Sequence, residues 1–176
     1  MEKSKIVLLG YMGSGKSAVA KHIARERNLI AIDLDSYIEQ KEALPIRQVF
    51  AKHGEIYFRK KEYEYLLELL GEDTYDIISL GGGTPCYYDT MEQLNQHKGV
   101  VAIYLKTSIG ELTRRLFEEK SERPLIAHLE TKAQLTEFIG KHLFERNPYY
   151  QQATLTVLTD DKSPQEVAQE LIARLA

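Results

Sequence analysis

Ile6-Val7-Leu8-Leu9 is a short, unbroken apolar run stopped by Gly10, the pattern of a strand covered on both faces. From Lys16 to about Arg27 the apolar residues Ala18, Val19, Ile23 and Ala24 recur at helical spacing, and Asn28 offers a stop. Four more stretches read as strands: 29–34, apolar apart from Asp33; 76–80, with Ile77 and Ile78; 100–105; and 155–158, where leucine alternates with threonine. Helical periodicity marks 36–42, 55–70, 90–96, 108–117, 132–145 and 164–175. In 55–70 the apolar stripe runs through Ile56, Tyr63, Leu66, Leu67 and Leu70, with Arg59 and Lys60 interrupting it. Strand and helix alternate along the whole chain, which predicts an α/β fold: a parallel sheet with helices on both faces and right-handed crossovers. Such sheets gather ligands at the carboxyl ends of their strands. Segment 118–130, EEKSERPLIAHLE, is charged, contains Pro124 and lies between two good helices, so a mobile excursion is expected there.

A length of 176 residues suits one domain, and no repeat, low-complexity tract or linker divides it, so a single domain over 1–176 is expected. One core accounts for the apolar periodicity, and a monomer is expected. Lys and Arg total 23 against 26 Asp and Glu; the resulting net charge of -3 supplies no broad positive field. Neither nucleic acid nor a membrane is therefore an expected partner. Cys86 is the single cysteine, which excludes an internal disulfide and a zinc ribbon and suits a reducing cytoplasm. It reads as a small buried or loop residue rather than a nucleophile. The apolar run in MEKSKIVLLG is too short for a signal-peptide core or a membrane span.

Chemistry enters at Gly10-Tyr-Met-Gly13-Ser14-Gly15-Lys16-Ser17, which fits the phosphate-loop pattern between the first strand and the first helix. Glycines there adopt positive φ and bare the backbone N–H groups, the helix directs its positive end at phosphate, and Lys16 adds a cation. Ser17 can place its hydroxyl on Mg²⁺. The signal points to a nucleoside triphosphate and says nothing of the acceptor.

Asp33-Leu34-Asp35 ends the second predicted strand, so its two carboxylates would face the same rim, one for Mg²⁺ and one for an acceptor hydroxyl. Alternatively one of them caps the next helix. Arg59 and Glu62, three apart, can pair and hold a guanidinium ready for a carboxylate, although a snorkelling arginine would look the same. Gly81-Gly82-Gly83 follows a strand and suggests close backbone approach to a ligand, or a plain loop closure. Arg123, in the charged excursion, could be carried over a transferring phosphoryl group. Arg146, before Asn147-Pro148-Tyr149-Tyr150, could equally serve the negative end of its own helix.

Taken together, Gly10 to Ser17, Asp33-Leu-Asp35, Phe58-Arg59 with Glu62, Gly81-Gly-Gly83, Arg123-Pro-Leu125 and Arg146-x-x-x-Tyr150 resemble the shikimate kinase family in order and spacing, from about Lys5 to Pro164. The resemblance implies a P-loop, nucleoside-monophosphate-kinase-like fold with a five-stranded parallel sheet, a lid near 118–130 and an acceptor-binding region near 35–62. It implies transfer of the γ-phosphoryl of ATP to the 3-hydroxyl of shikimate, on the route to chorismate and the aromatic amino acids. By position, Gly13, Ser14, Gly15, Lys16, Ser17 and Ala18 would bind ATP, with Arg123 also bearing on its phosphates. Adenine contacts would fall near Arg115 and Lys162, in a loop (159–164) that matches the family mainly in length and proline. Ser17 and Asp33 would serve Mg²⁺. Asp35 would hold the shikimate hydroxyls, Arg59 and Arg146 its carboxylate, and Gly81, Gly82 and Gly83 would line the pocket, with Ile46, Phe50 and Phe58 against the ring. Lys16, Asp35 and Arg123 would be the catalytic set.

Two other readings remain open from sequence. One is a kinase for another small acceptor, such as gluconate or a nucleoside monophosphate; the other is a regulatory nucleotide-binding module that hydrolyses ATP slowly. They separate on whether ADP release depends on an acceptor, and on which one.

Overall fold

The computed structural model describes residues 5–175. Its elements run β1 (Lys5–Leu9), α1 (Lys16–Arg27), β2 (Ala31–Asp33), α2 (Leu34–Glu42), α3 (Ile46–Gly71), β3 (Ile77–Ser79), α4 (Thr90–Gln96), β4 (Val100–Lys106), α5 (Ile109–Glu119), α6 (Lys132–Tyr150), β5 (Leu155–Leu158) and α7 (Pro164–Arg174). Short 3₁₀ turns occupy Thr84–Cys86 and Lys120–Glu122. The five strands form one parallel sheet in the order β2-β3-β1-β4-β5. β1 sits at the centre, with Ile6 opposite Ile77 on one side and Val101 on the other.

Alternation along β1 sends Val7 and Leu9 to one face and Ile6 and Leu8 to the other, which explains why the run is apolar without interruption. Leu8 joins Val19 and Ile23 of α1 and Val167 and Leu171 of α7. Val7 and Leu9 join Leu34, Leu66, Leu112 and Ile139 from the helices of the opposite layer. Among the described residues, no helix is long and apolar enough to cross a membrane.

Several boundaries differ from expectation, and each has a local cause. β2 spans only Ala31–Asp33, and Asp35 lies in the first turn of α2 rather than at a strand end. Asp33 is the cap that makes the change, its Oδ1 accepting from the Asp35 N–H at 3.2 Å. Helix α3 begins at Ile46, well before 55, and is broken at Gly54, whose φ of 81° and ψ of 174° are not helical. Its inward face carries Phe58, Glu62, Leu66, Leu69 and Leu70, whereas Ile56, expected on the stripe, is 86% exposed. Helix α6 does not stop at Glu145 but continues through Pro148 to Tyr150. Pro148 lacks the N–H that would bond the Phe144 carbonyl, yet fully buried Tyr150, its ring tilted against that of Tyr104 at 5.0 Å, draws the last turn into helical register. Segment 118–130 is tethered in the middle: Ile126 is fully buried while Leu125 beside it is exposed.

Candidate active site

The carboxyl ends of β1, β2 and β3 and the loop after β5 surround a cleft of about 820 Å³. Gly10, Gly13 and Gly15 all have positive φ, as the phosphate-loop pattern requires. Within that loop Lys16 donates to the carbonyls of Gly10 at 2.8 Å and Tyr11 at 3.0 Å. The Ser14 hydroxyl, in a residue only 2% exposed, has no hydrogen-bond partner among the described residues. A cradle of bare N–H groups with an unsatisfied hydroxyl and an adjacent ammonium fits polyphosphate oxygens. Burial lowers the Lys16 pKa to about 8, against the raising influence of Asp33 and Asp35.

Ser17 and Ala18 lie open on the cleft floor. The Ser17 hydroxyl donates to Asp33 Oδ2 at 2.5 Å, so the carboxylate that caps α2 also holds the serine. A hydroxyl and a carboxylate side by side are the hard oxygen donors that suit Mg²⁺ shared with a phosphate. Asp35 lines the same cleft. Burial first, then the charges of Asp33 and Glu62, push its carboxyl up to about 6, with Lys16 and Arg59 opposing.

Arg59 and Arg146 do not line this cleft; they reach it through the glycine run. A Cβ placed on Gly81 would sit 3.3 Å from an Asp35 carboxylate oxygen and 3.2 Å from a Glu62 one. One on Gly82 would sit 3.2 Å from Arg146 Nη1, and one on Gly83 only 2.8 Å from Arg59 Nη2. Each missing side chain thus makes room for a different ionic group, which brings Asp35, Arg59 and Arg146 around one short stretch of backbone. Loop closure alone would not ask for that.

Arg59 is fixed by Glu62, its Nη1 donating to the carboxylate at 2.8 Å, and its guanidinium stacks over the Tyr87 ring at 4.1 Å. Glu62 is 1% exposed and also accepts from the Thr84 hydroxyl at 2.6 Å. The pairing of residues 59 and 62 was legible as helix spacing; Thr84 was not, because it comes from the far side of the glycine run. Phe58 is buried against Phe50, with ring centroids 4.4 Å apart, and Ile46 packs nearby. Tyr150 donates to the Gly82 carbonyl at 2.5 Å, anchoring the run to α6. Arg146 forms no ion pair among the described residues and lies over the Tyr11 ring at 5.5 Å.

Arg123 lines the cleft but is held by Glu119, Nη2 to Oε2 at 2.7 Å. Arg115 joins two loops, donating to the carbonyls of Gly13 and Thr159, both at 3.2 Å. Lys162 lines the same end of the cleft while pairing with Glu170 at 2.7 Å. Glu119 is a cleft residue that no sequence pattern singled out beyond the acidity of its segment.

A family model for shikimate kinase matches residues 12–176. The shikimate kinase of Flavobacterium johnsoniae is 46% identical over 172 residues, covering 98% of this chain and 99% of that one. The crystal structure of the shikimate kinase from Bacteroides thetaiotaomicron superposes with a TM-score of 0.87 at 34% identity, covering 98% of each chain. That of Acinetobacter baumannii, solved in complex with shikimate, gives 0.84 at 29% identity, covering 99% of this chain and 93% of its own. With a family match over nearly its whole length and relatives alike from end to end in sequence and in fold, the chain belongs to the shikimate kinase family.

Proposed function

We propose that the protein transfers the γ-phosphoryl group of ATP to the 3-hydroxyl of shikimate, giving shikimate 3-phosphate and ADP, on the route to chorismate and the aromatic amino acids. The observation that carries this is the glycine run 81–83, around which a carboxylate and two guanidinium groups meet beside a phosphate loop. A small ring bearing hydroxyls and a carboxylate needs that set: an acceptor for the hydroxyls and arginine forks for the acid.

In this reading Gly13, Ser14, Gly15, Lys16, Ser17 and Ala18 bind the triphosphate, and Arg123 leaves Glu119 to reach it as 118–130 acts as a lid. Arg115 and Lys162 flank the adenine. Ser17 and Asp33 would hold Mg²⁺, which would supply positive charge to offset that of the triphosphate. Asp35 orients the 3-hydroxyl and accepts its proton; a carboxylate raised toward 6 is still ionised at neutral pH and is a stronger base than an ordinary one. Arg59 and Arg146 grip the carboxylate, the backbone of Gly81, Gly82 and Gly83 lines the pocket, and Phe58 supports the ring side. Phosphoryl transfer asks mainly for in-line placement and charge neutralisation, which these groups provide. The enzyme acts as a monomer in the cytoplasm, where the lone thiol of Cys86, raised to about 11 by burial, stays protonated and reduced.

Coupled ADP release with ATP and Mg²⁺, run in turn with shikimate, gluconate and AMP, tests the assignment. Release is expected with shikimate alone; slow release indifferent to acceptor would replace the assignment with a regulatory ATPase. Arg59→Lys is expected to raise the shikimate KM by roughly tenfold or more, since an ammonium cannot reproduce the planar fork. Steady-state kinetics showing an unchanged KM would place Arg59 off the carboxylate. Gly83→Ala should act on the same arginine from the other side. Its new methyl would sit 2.8 to 3.1 Å from the guanidinium that Glu62 and Tyr87 hold, so the shikimate KM should rise several-fold and the melting temperature should fall, though by less than on loss of Glu62.

A further inference from the structure

Tyr11, the second residue of the phosphate loop, touches both cations that the proposed reaction needs. Its main-chain carbonyl accepts from Lys16 Nζ at 3.0 Å, and its ring lies beneath the Arg146 guanidinium at 5.5 Å. The residue is 1% exposed, and its hydroxyl is paired with Nδ1 of His142 at 2.9 Å. His142 precedes Arg146 by four residues on α6, so both project from one face of that helix. Phe138, one turn earlier, packs on the imidazole at a centroid distance of 4.4 Å and limits its movement.

We propose that Tyr11 and His142 form a spacer that sets the separation between the phosphate cation Lys16 and the carboxylate cation Arg146. Both are positioning residues: neither needs to touch substrate. The phenol fixes the ring against α6, the ring supports the guanidinium, and the same residue's carbonyl holds the lysine. Arg146 makes no ion pair among the described residues, so its placement before the acceptor arrives depends on the ring beneath it and on its neighbour Tyr150.

The inference rests on shikimate being the acceptor, and the experiment keeps the two apart. Tyr11→Phe, which keeps the ring, and His142→Leu are each expected to raise the shikimate KM about three- to tenfold, the worth of one buried hydrogen bond. The ATP KM and kcat should stay within about twofold in both variants. The double variant should be no worse than either single one, and His142→Asn, which restores a polar atom near the Nδ1 position, should recover most of the loss. The carboxamide analogue of shikimate should lose no affinity in the variants, since the carboxylate grip is what the spacer sets. An unchanged shikimate KM, an ATP KM that rises equally, or additive single effects would overturn the proposal. If the wild type phosphorylates no shikimate, the functional assignment fails on its own. The spacer is then judged by the ¹⁵N resonances of His142 Nδ1 and the Arg146 guanidinium, which must both move in Tyr11→Phe; fixed resonances refute it.

Discussion

Asp35→Asn is expected to cut turnover about 10²- to 10⁴-fold, the usual worth of a positioned base, while making the unliganded protein more stable. The carboxyl titrates near 6 in the folded chain, against 3.8 ordinarily, because burial and then Asp33 and Glu62 oppose its ionisation. A folded-state pKa above the unfolded one means that the native state binds more protons between those values. The associated stability is complete below about pH 4 and is lost as pH rises through 6. At pH 7 the ionised carboxylate therefore destabilises the fold by up to about 3 kcal/mol, less what a first-turn acid gains from the helix dipole. The amide escapes this. Its melting temperature should exceed that of wild type by roughly 3–10 °C above pH 6, and the two should converge near pH 4. Thermal melts across that range decide the matter: a variant that melts below wild type at pH 7.5 would show that the carboxylate is comfortable where it sits.

Glu62→Ala should have the largest effect on stability. Glu62 is buried, and it is the acceptor for both Arg59 and Thr84. Deleting it leaves a guanidinium whose side chain is 15% exposed with only Glu55, 3.8 Å away and largely in solvent, as counter-charge, a change worth up to about 3–5 kcal/mol. For a domain of this size that is a fall in melting temperature of roughly 10 °C. The shikimate KM should rise with it, since Arg59 is then free to leave the acid-binding position. Glu62→Gln separates the two effects. The amide still accepts from Thr84, so the melting temperature should fall less, while Asp35 loses one of the charges that raise its pKa and should titrate lower by ¹³C NMR. A Glu62→Ala variant that melts within about 1 °C of wild type would mean that Arg59 is stabilised by other groups.

The parts of the site written into contiguous residues were legible from sequence. The phosphate loop is one, because its backbone path is set by glycines three and two apart and by the strand and helix that flank it. The sheet is another: runs buried on both faces, separated by helical periods, leave few alternatives to a parallel arrangement. What depended on tertiary context was misread. The sequence draws the α3 stripe through Ile56, Tyr63, Leu66, Leu67 and Leu70; Leu66 and Leu70 are buried, but Ile56 and Leu67 are exposed, and Phe58 and Glu62 turn inward where Glu62 holds Arg59 at the glycine run. The end of α6 was placed before Pro148, since local propensity cannot weigh the burial of Tyr150 and its bond to Gly82. Asp35 was expected at a strand end; it reaches the rim from a helix instead, and alternation along a strand was not the cause. The glycine run reads as a close approach in sequence, but which ion sits at which glycine is set by helices remote from it in the chain.

Gly54 interrupts α3 with backbone angles that nearly every other residue avoids, and a Cβ there would meet nothing within 4 Å. The restriction is thus purely torsional, worth about 1–3 kcal/mol against any replacement. An alanine would favour one straight rod from Ile46 onward. Its leading turns would then swing out of line and take Phe50 from its place against Phe58, opening one wall of the proposed acceptor pocket. If the ring of the acceptor sits there as proposed, the shape of its berth turns on one bend, flanked by the bonds of the Ile46 N–H to Glu39 and of the Tyr57 hydroxyl to Glu42.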